Sequence, residues 1–205
     1  MESKEQVIVS APNFQTVEIE IKGAAPYVQH RFGHKALLEI REKQESGLTT
    51  KGKKRKARDF DEEVREAQHL SHENWNGIPA TAFRNAMITA CKIVGFHMTK
   101  GKLAIFIEPD GFDKLDASPL VKIIGEWRRY DTYGRTETGV AMPTSRPMWE
   151  KWGAKVRIRY DADMFSSTDV VNLLARAGLQ VGIGEGRPDS SNSNGMGWGL
   201  WEIVT

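Results

Sequence analysis

Between residues 155 and 160, Val156, Ile158 and Tyr160 alternate with Lys155, Arg157 and Arg159, a period of two that suits an extended strand with one buried face. Just downstream, Ser166-Ser167-Thr168-Asp169 spells a capping box. Val170, Val171, Leu173, Leu174 and Ala177 then form an apolar helical stripe, with Gly178 placed to close it. A strand feeding an amphipathic helix requires a layered architecture, because neither apolar face can be buried alone. A matching pair stands upstream. Val17, Ile19 and Ile21 alternate with Glu18, Glu20 and Lys22 in a first strand over 15–23, stopped by Gly23 to Pro26. Pro79 suits the first turn of a helix whose core face is Phe83, Ala86, Met87, Ala90 and Val94, with Gly95 to end it. Leu103, Ile105 and Ile107 alternate as a further strand before the Pro109-Asp110-Gly111 turn, and a last strand falls near 200–204.

This order predicts an α+β fold with a β-α-β-β-α-β core of ferredoxin-like or RRM-like type. With 205 residues, one domain over 13–205 is expected. Residues 36–77 hold a charged helical stretch, a basic run and an acidic helical stretch, with little apolar material to bury, and read as a large basic insertion projecting from the core. Residues 112–152 contain short apolar pieces among many turn formers and read as a hairpin or long ordered loop. No apolar run approaches the roughly 20 residues that span a bilayer. No secretory signal opens the chain and Cys91 is its one cysteine, so a reducing, cytoplasmic setting without a membrane partner is expected. One cysteine and five scattered histidines give no zinc-module spacing, and neither metal nor cofactor is called for.

The whole-chain balance, 29 basic against 27 acidic residues, says little about partners, so local charge carries the argument. Lys51, Lys53, Lys54, Arg55, Lys56 and Arg58 place six cations in eight residues, a flexible arm suited to neutralising phosphates. The competing reading is a solubilising loop, offset by the acids that follow it. Trp127, Arg128, Arg129, Tyr130, Tyr133 and Arg135 interleave rings with cations, as does the stretch Arg146 to Trp152, and that combination holds single strands by stacking bases and tracking the backbone. Trp149 and Trp152 could equally plug the core. Lys155, Arg157 and Arg159 would form a basic sheet face, but Glu18 and Glu20 on the neighbouring strand should cancel it. That face also lacks the ring pairs of an RNA recognition motif, so loops are the expected binding surface.

Seven glycines fall in the 22 residues 178–199, in neither a phosphate-loop nor a dinucleotide pattern. They allow positive φ and close approach of backbone to a ligand, with Arg187 among them, or else serve a bulged last strand. Here the sequence resembles a family. Ile78-Pro79-Ala80-Thr81-Ala82-Phe83-Arg84-Asn85-Ala86 is similar to the "Ile-Pro-Gly-Ser-Ser-hydrophobic-Arg/Lys-Gly-Ala" helix start of the RAMP superfamily, the RRM-like proteins that build CRISPR effector complexes. The run Gly182 to Pro188, continued by Gly197-Trp198-Gly199, resembles that superfamily's glycine-rich loop, and Pro26 to Arg31 sits where its first strand enters a nucleic-acid-contacting loop. The backbone-subunit branch is the nearest in pattern. Ala80 and Asn85 depart from the motif.

The resemblance implies a protein that polymerises along single-stranded nucleic acid, RNA favoured over DNA, in a helical assembly with copies of itself and with other effector subunits. It implies backbone contacts from His30 and Arg31, from Arg84 and Lys92, and from Arg187. A phage or mobile-element single-stranded DNA binding or annealing protein is the alternative. A metal-independent endoribonuclease is the second alternative, since His30, His34, His69 and His72 and the acids Asp59 and Asp61 occupy the interval where some relatives keep a catalytic histidine or aspartate. The His30/His34 and His69/His72 spacings suit a metal but lack a third ligand.

Overall fold

The expected first strand becomes β1 (Phe14–Gly23), which turns through a second, two-residue strand, β2 (Tyr27–Val28). The structure, a computed structural model, describes residues 10–31, 33–46, 58–135, 141–190 and 196–204. In chain order there follow α1 (His34–Ser46), α2 (Phe60–Glu66), β3 (Gly77–Pro79), α3 (Ala80–Ile93), α4 (Met98–Ala104), β4 (Ile105–Glu108) and β5 (Gly111–Phe112). Then come β6 (Pro119–Ile124), β7 (Arg128–Arg135), β8 (Ala141–Trp149), β9 (Gly153–Asp161), α5 (Ser167–Arg176) and β10 (Trp201–Ile203). The fold is α+β and its strand pairings are antiparallel.

The main sheet runs β10-β1-β9-β6-β3, with β4 beside β6 on the free side of β9 and β5 against β6. Its inner face is the one the alternation names. Ile19 and Ile21 of β1, Val156, Ile158 and Tyr160 of β9, Ile105 of β4 and Trp201 of β10 are all buried against Phe83, Met87 and Ala90 of α3 and Val170, Leu173 and Leu174 of α5. Each fully buried side chain of this size contributes roughly 1.5–3 kcal/mol, enough to fix the register of every strand that carries one. The register pairs Glu18 with Arg157 and Glu20 with Lys155, and Lys155 Nζ lies 2.9 Å from the Glu20 carboxylate, as the charge pattern requires. The second sheet, β2-β8-β7, is anchored by Trp149, whose ring lies 5.6 Å from that of Tyr27. Trp149 and Trp152 are buried core rings and do not offer themselves to a ligand.

Several expectations need correction. Leu103 does not alternate with Ile105 and Ile107 in one strand: it lies in α4 and is 66% exposed. Val94 is exposed as well, because α3 turns at Gly95 (φ 74) and Phe96 takes the core position, its ring 4.8 Å from Phe165. Pro79 caps α3 from the end of β3 instead of opening its first turn. Gly178 does not stop α5. The helix widens there into a π-helical turn, Ala177–Val181, with Gly178 pressed against the Trp201 backbone, and it ends at Gly182 (φ 72). Of the two readings of residues 112–152, the hairpin is the one found, in the antiparallel pair β7–β8, and what was not foreseen is that β6 joins the main sheet. The downstream part of the 36–77 insertion does not project, since Val64, Ala67 and Ser71 are buried and α2 packs on β8.

Candidate nucleic-acid interface

Three stretches distant in sequence meet at one groove. Tyr27 and Val28 hydrogen-bond to Trp149 and Met148 of β8, which leaves Gln29 and His30 running out over the start of α3. The glycine-rich stretch is pinned on the same short strand, for the Glu185 N–H donates to the Val28 carbonyl at 2.9 Å. Gly184 sits at φ 77 where a Cβ would come within 2.5 Å of that carbonyl oxygen, so the close approach requires glycine. Gly186 (φ 77) makes the same kind of contact with the Trp198 ring. Between these walls lies a cavity of about 460 Å³, bounded by Tyr27, Gln29 and His30, by Pro79 and Ala82, by His69, and by the loop from Gly184 to Arg187.

Polar groups inside it are ordered by their partners. The buried Gln29 amide donates to the Tyr27 hydroxyl at 3.1 Å and to the Gly77 carbonyl at 2.8 Å, and its oxygen accepts from the His69 backbone N–H at 2.9 Å. Arg146 Nη2 donates to His30 Nε2 at 3.1 Å, which leaves the proton on Nδ1, 3.6 Å from a Glu185 carboxylate oxygen. Arg146 Nε meets the same oxygen at 3.1 Å. Burial, helped by the Arg146 charge and opposed by Glu185, holds the His30 imidazole below its ordinary pKa. His69 Nδ1 lies 2.9 Å from Asp113 Oδ2, and burial depresses this imidazole too, against the pull of its hydrogen bond to Asp113. Tyr27 stays a neutral phenol, because burial pushes its pKa far upward.

Among the described residues, the cations expected to meet phosphate are for the most part already engaged. The Arg31 side chain is 7% exposed, donates to Asp113 at 3.2 Å and Asp116 at 2.7 Å, and acts as an internal counter-ion. Arg84 leaves the groove altogether. It donates to the carbonyls of Ile105 and Lys102 and ties α3 to the junction of α4 and β4. Arg187 lines the groove, its Nη1 on the Gly184 carbonyl at 3.1 Å. Lys92 is exposed on α3, away from the groove-lining residues, and has no ion-pair partner among the described residues. On β7, Arg128 pairs with Glu150, and Arg129 with Asp131 and Asp61. Tyr130 stands edge-on to Trp198 at 5.4 Å, while Trp127 and Tyr133 are 40% and 67% exposed. Arg135 ends β7. Arg58 pairs with Glu63 and covers the Phe60 ring. Lys51, Lys53, Lys54, Arg55 and Lys56 lie outside the described residues.

Sequence reasoning did not single out Gln29 and Glu185 as groove residues, gave Arg146 no link to His30 and Glu185, and missed Asp113 as the partner of His69. Nothing local marks Asp113, which lies 44 residues from His69. His69, Asp113 and Asp116 gather within metal-ligand reach, but the Arg31 guanidinium already bridges both carboxylates. The open sheet face also holds a ring pair that the sequence reading denied: Phe14 and Phe106, 5.8 Å apart. Alternation alone hides it, because the two rings sit on strands joined through β9. No family model matches this sequence, and no curated protein matches it either.

Proposed function

We propose that this chain is a non-catalytic single-stranded nucleic-acid-binding protein of RAMP type, a guide-RNA backbone subunit that oligomerises along the strand. Its core is taken as ferredoxin-like: counted among core strands alone, the sheet order β10-β1-β9-β4 is fourth, first, third, second, with α3 and α5 on one face. One observation carries the functional reading. The exit of β2, the start of α3 and the glycine-rich loop, the three stretches on which the family resemblance rests, line one cavity, with His30 and Arg187 at its walls. Backbone amides of a positive-φ loop beside an arginine suit a sugar-phosphate chain. Fluorescence anisotropy with single-stranded RNA and DNA across a salt series tests it. Binding that weakens steeply with salt, prefers RNA and drops in Arg187→Gln supports the reading; a preference for DNA with strand annealing favours the phage or mobile-element alternative. A protein that binds neither strand ends it.

A second reading rests on the two histidines. His30 and His69 both line the cavity, and His69 is oriented by a buried carboxylate, the arrangement of a general acid–base pair. Such a pair would take the proton of a ribose 2′-hydroxyl attacking the adjacent phosphate and return one to the leaving 5′-oxygen. Labelled RNA incubated without metal decides it: cleavage to a cyclic phosphate that disappears in both His30→Ala and His69→Ala would make the protein an endoribonuclease.

A further inference from the structure

On the outer face of the main sheet, opposite the helices, Phe14 of β1 and Phe106 of β4 flank Arg159 of β9. The Arg159 guanidinium carbon lies 5.2 Å from each ring centroid, and the rings stand 5.8 Å apart at 66°. Arg84 comes over the edge of β4 to 5.1 Å from the Phe106 ring, held there by the carbonyls of Ile105 and Lys102. Its role in this patch is positioning and charge. Elsewhere on this face Lys155 pairs with Glu20, and Arg157 with Asp110. Arg159 differs, being exposed and without an acidic partner among the described residues, and Glu108 nearby is engaged by the Thr16 hydroxyl at 3.3 Å.

An arginine seated between two phenyl rings is pre-organised, with its stem ordered and its N–H fork free for a planar or anionic partner. Phe14, 37% exposed, offers further ring surface beside it. We propose that this patch is a second nucleic-acid contact, taking one unpaired nucleotide: the base stacks at Phe14 and the phosphate meets Arg159. The inference rests on the single-strand-binding reading above, and it places part of the path on the open sheet, away from the glycine-rich groove. An apolar partner would leave the unpaired guanidinium unsatisfied, whereas a nucleotide uses both the ring and the charge.

The test is anisotropy of a labelled single-stranded oligouridylate of about 20 nucleotides against wild type, Phe14→Ala, Arg159→Gln and, for the groove, Arg187→Gln. Phe14 and Arg159 are exposed, and circular dichroism and size exclusion check that each variant folds and keeps its oligomeric state. Phe14→Ala is expected to weaken binding about 5- to 150-fold, the range for one stacked base. Arg159→Gln is expected to lower the logarithmic salt slope by about one phosphate's worth. Wild-type affinity in both variants overturns the proposal while leaving the groove standing, if Arg187→Gln alone loses binding. Loss in the patch variants with Arg187→Gln intact upholds the patch and sinks the groove. A changed sizing profile with unchanged affinity marks the patch as a contact between copies of the chain and overturns the proposal, as does a wild-type protein that binds no strand.

Discussion

Asp113 Oδ2, in a side chain with no exposed surface, lies 2.9 Å from His69 Nδ1. The same oxygen accepts from the buried Arg31 guanidinium at 3.2 Å, so a single carboxylate satisfies a cation and an imidazole at once. Removing it strands His69 and leaves Arg31 held by Asp116 alone. Asp113→Asn is expected to destabilise the protein by about 3 kcal/mol, less than a lone buried pair would lose because Asp116 still holds Arg31. Urea unfolding measures this, and a shift below about 0.5 kcal/mol would contradict the account of Arg31 as an internal counter-ion.

What the sequence made legible follows from where the information lies. The alternation at Val156, Ile158 and Tyr160 and the Ser166–Asp169 capping box are local signals of burial and hydrogen bonding, and both are realised in β9 and α5. The β7–β8 ribbon was legible only as a hairpin without strand bounds, because Arg128, Arg129, Asp131, Tyr133 and residues 141–143 are exposed and impose no period of two there. The resemblance made Arg31 a backbone contact, and nothing in the sequence shows its partner 82 residues away. The grouping around the groove was legible in outline, since the glycine-rich run and the Pro79 helix start both line it. The residues that set its polarity, Arg146 and Glu185, meet only through tertiary packing.

Acid should destabilise this fold earlier than carboxylate protonation alone would. The folded pKa of His69 is held below the ordinary 6.5, so the unfolded chain binds the proton more readily. The stability is therefore fully present above pH 6.5 and is lost as pH falls from 6.5 towards the depressed folded value. His30 is lowered in the same direction and adds to the effect. Thermal melts from neutral pH downward should show the melting temperature falling through this window, and a His69→Gln, His30→Gln double variant should flatten it. An unchanged slope in the double variant would assign the loss to other groups.

Gly184→Ala is expected to damage the groove and the fold together. The residue sits at φ 77, and a Cβ would meet the Val28 carbonyl oxygen at 2.5 Å, so neither the backbone nor the neighbour can yield cheaply. A loss of about 1–3 kcal/mol is the scale of such strain. Gly134, with nothing within 4 Å of its Cβ position and no positive φ, is the control, and Gly134→Ala should leave the melting temperature where it is. Equal behaviour of the two variants would deny the glycine-rich loop its close-packed role.

Two tryptophans with similar sequence surroundings should respond in opposite ways. Trp149 is fully buried between the sheets, with Tyr27 against it, and Trp149→Ala is expected to cost about 3–5 kcal/mol and to abolish soluble folded protein at moderate temperature. Trp127 lies just before β7 and is 40% exposed, so its truncation removes less buried area than that of Trp149. If the ribbon contributes stacking to a bound strand, Trp127→Ala should lower affinity about 5-fold or more, with a smaller fall in melting temperature than Trp149→Ala. Anisotropy and differential scanning calorimetry on the same preparations separate the two effects. Trp127→Ala that binds as wild type would leave the β7 rings without a ligand role and confine the contact surface to the groove and the sheet patch.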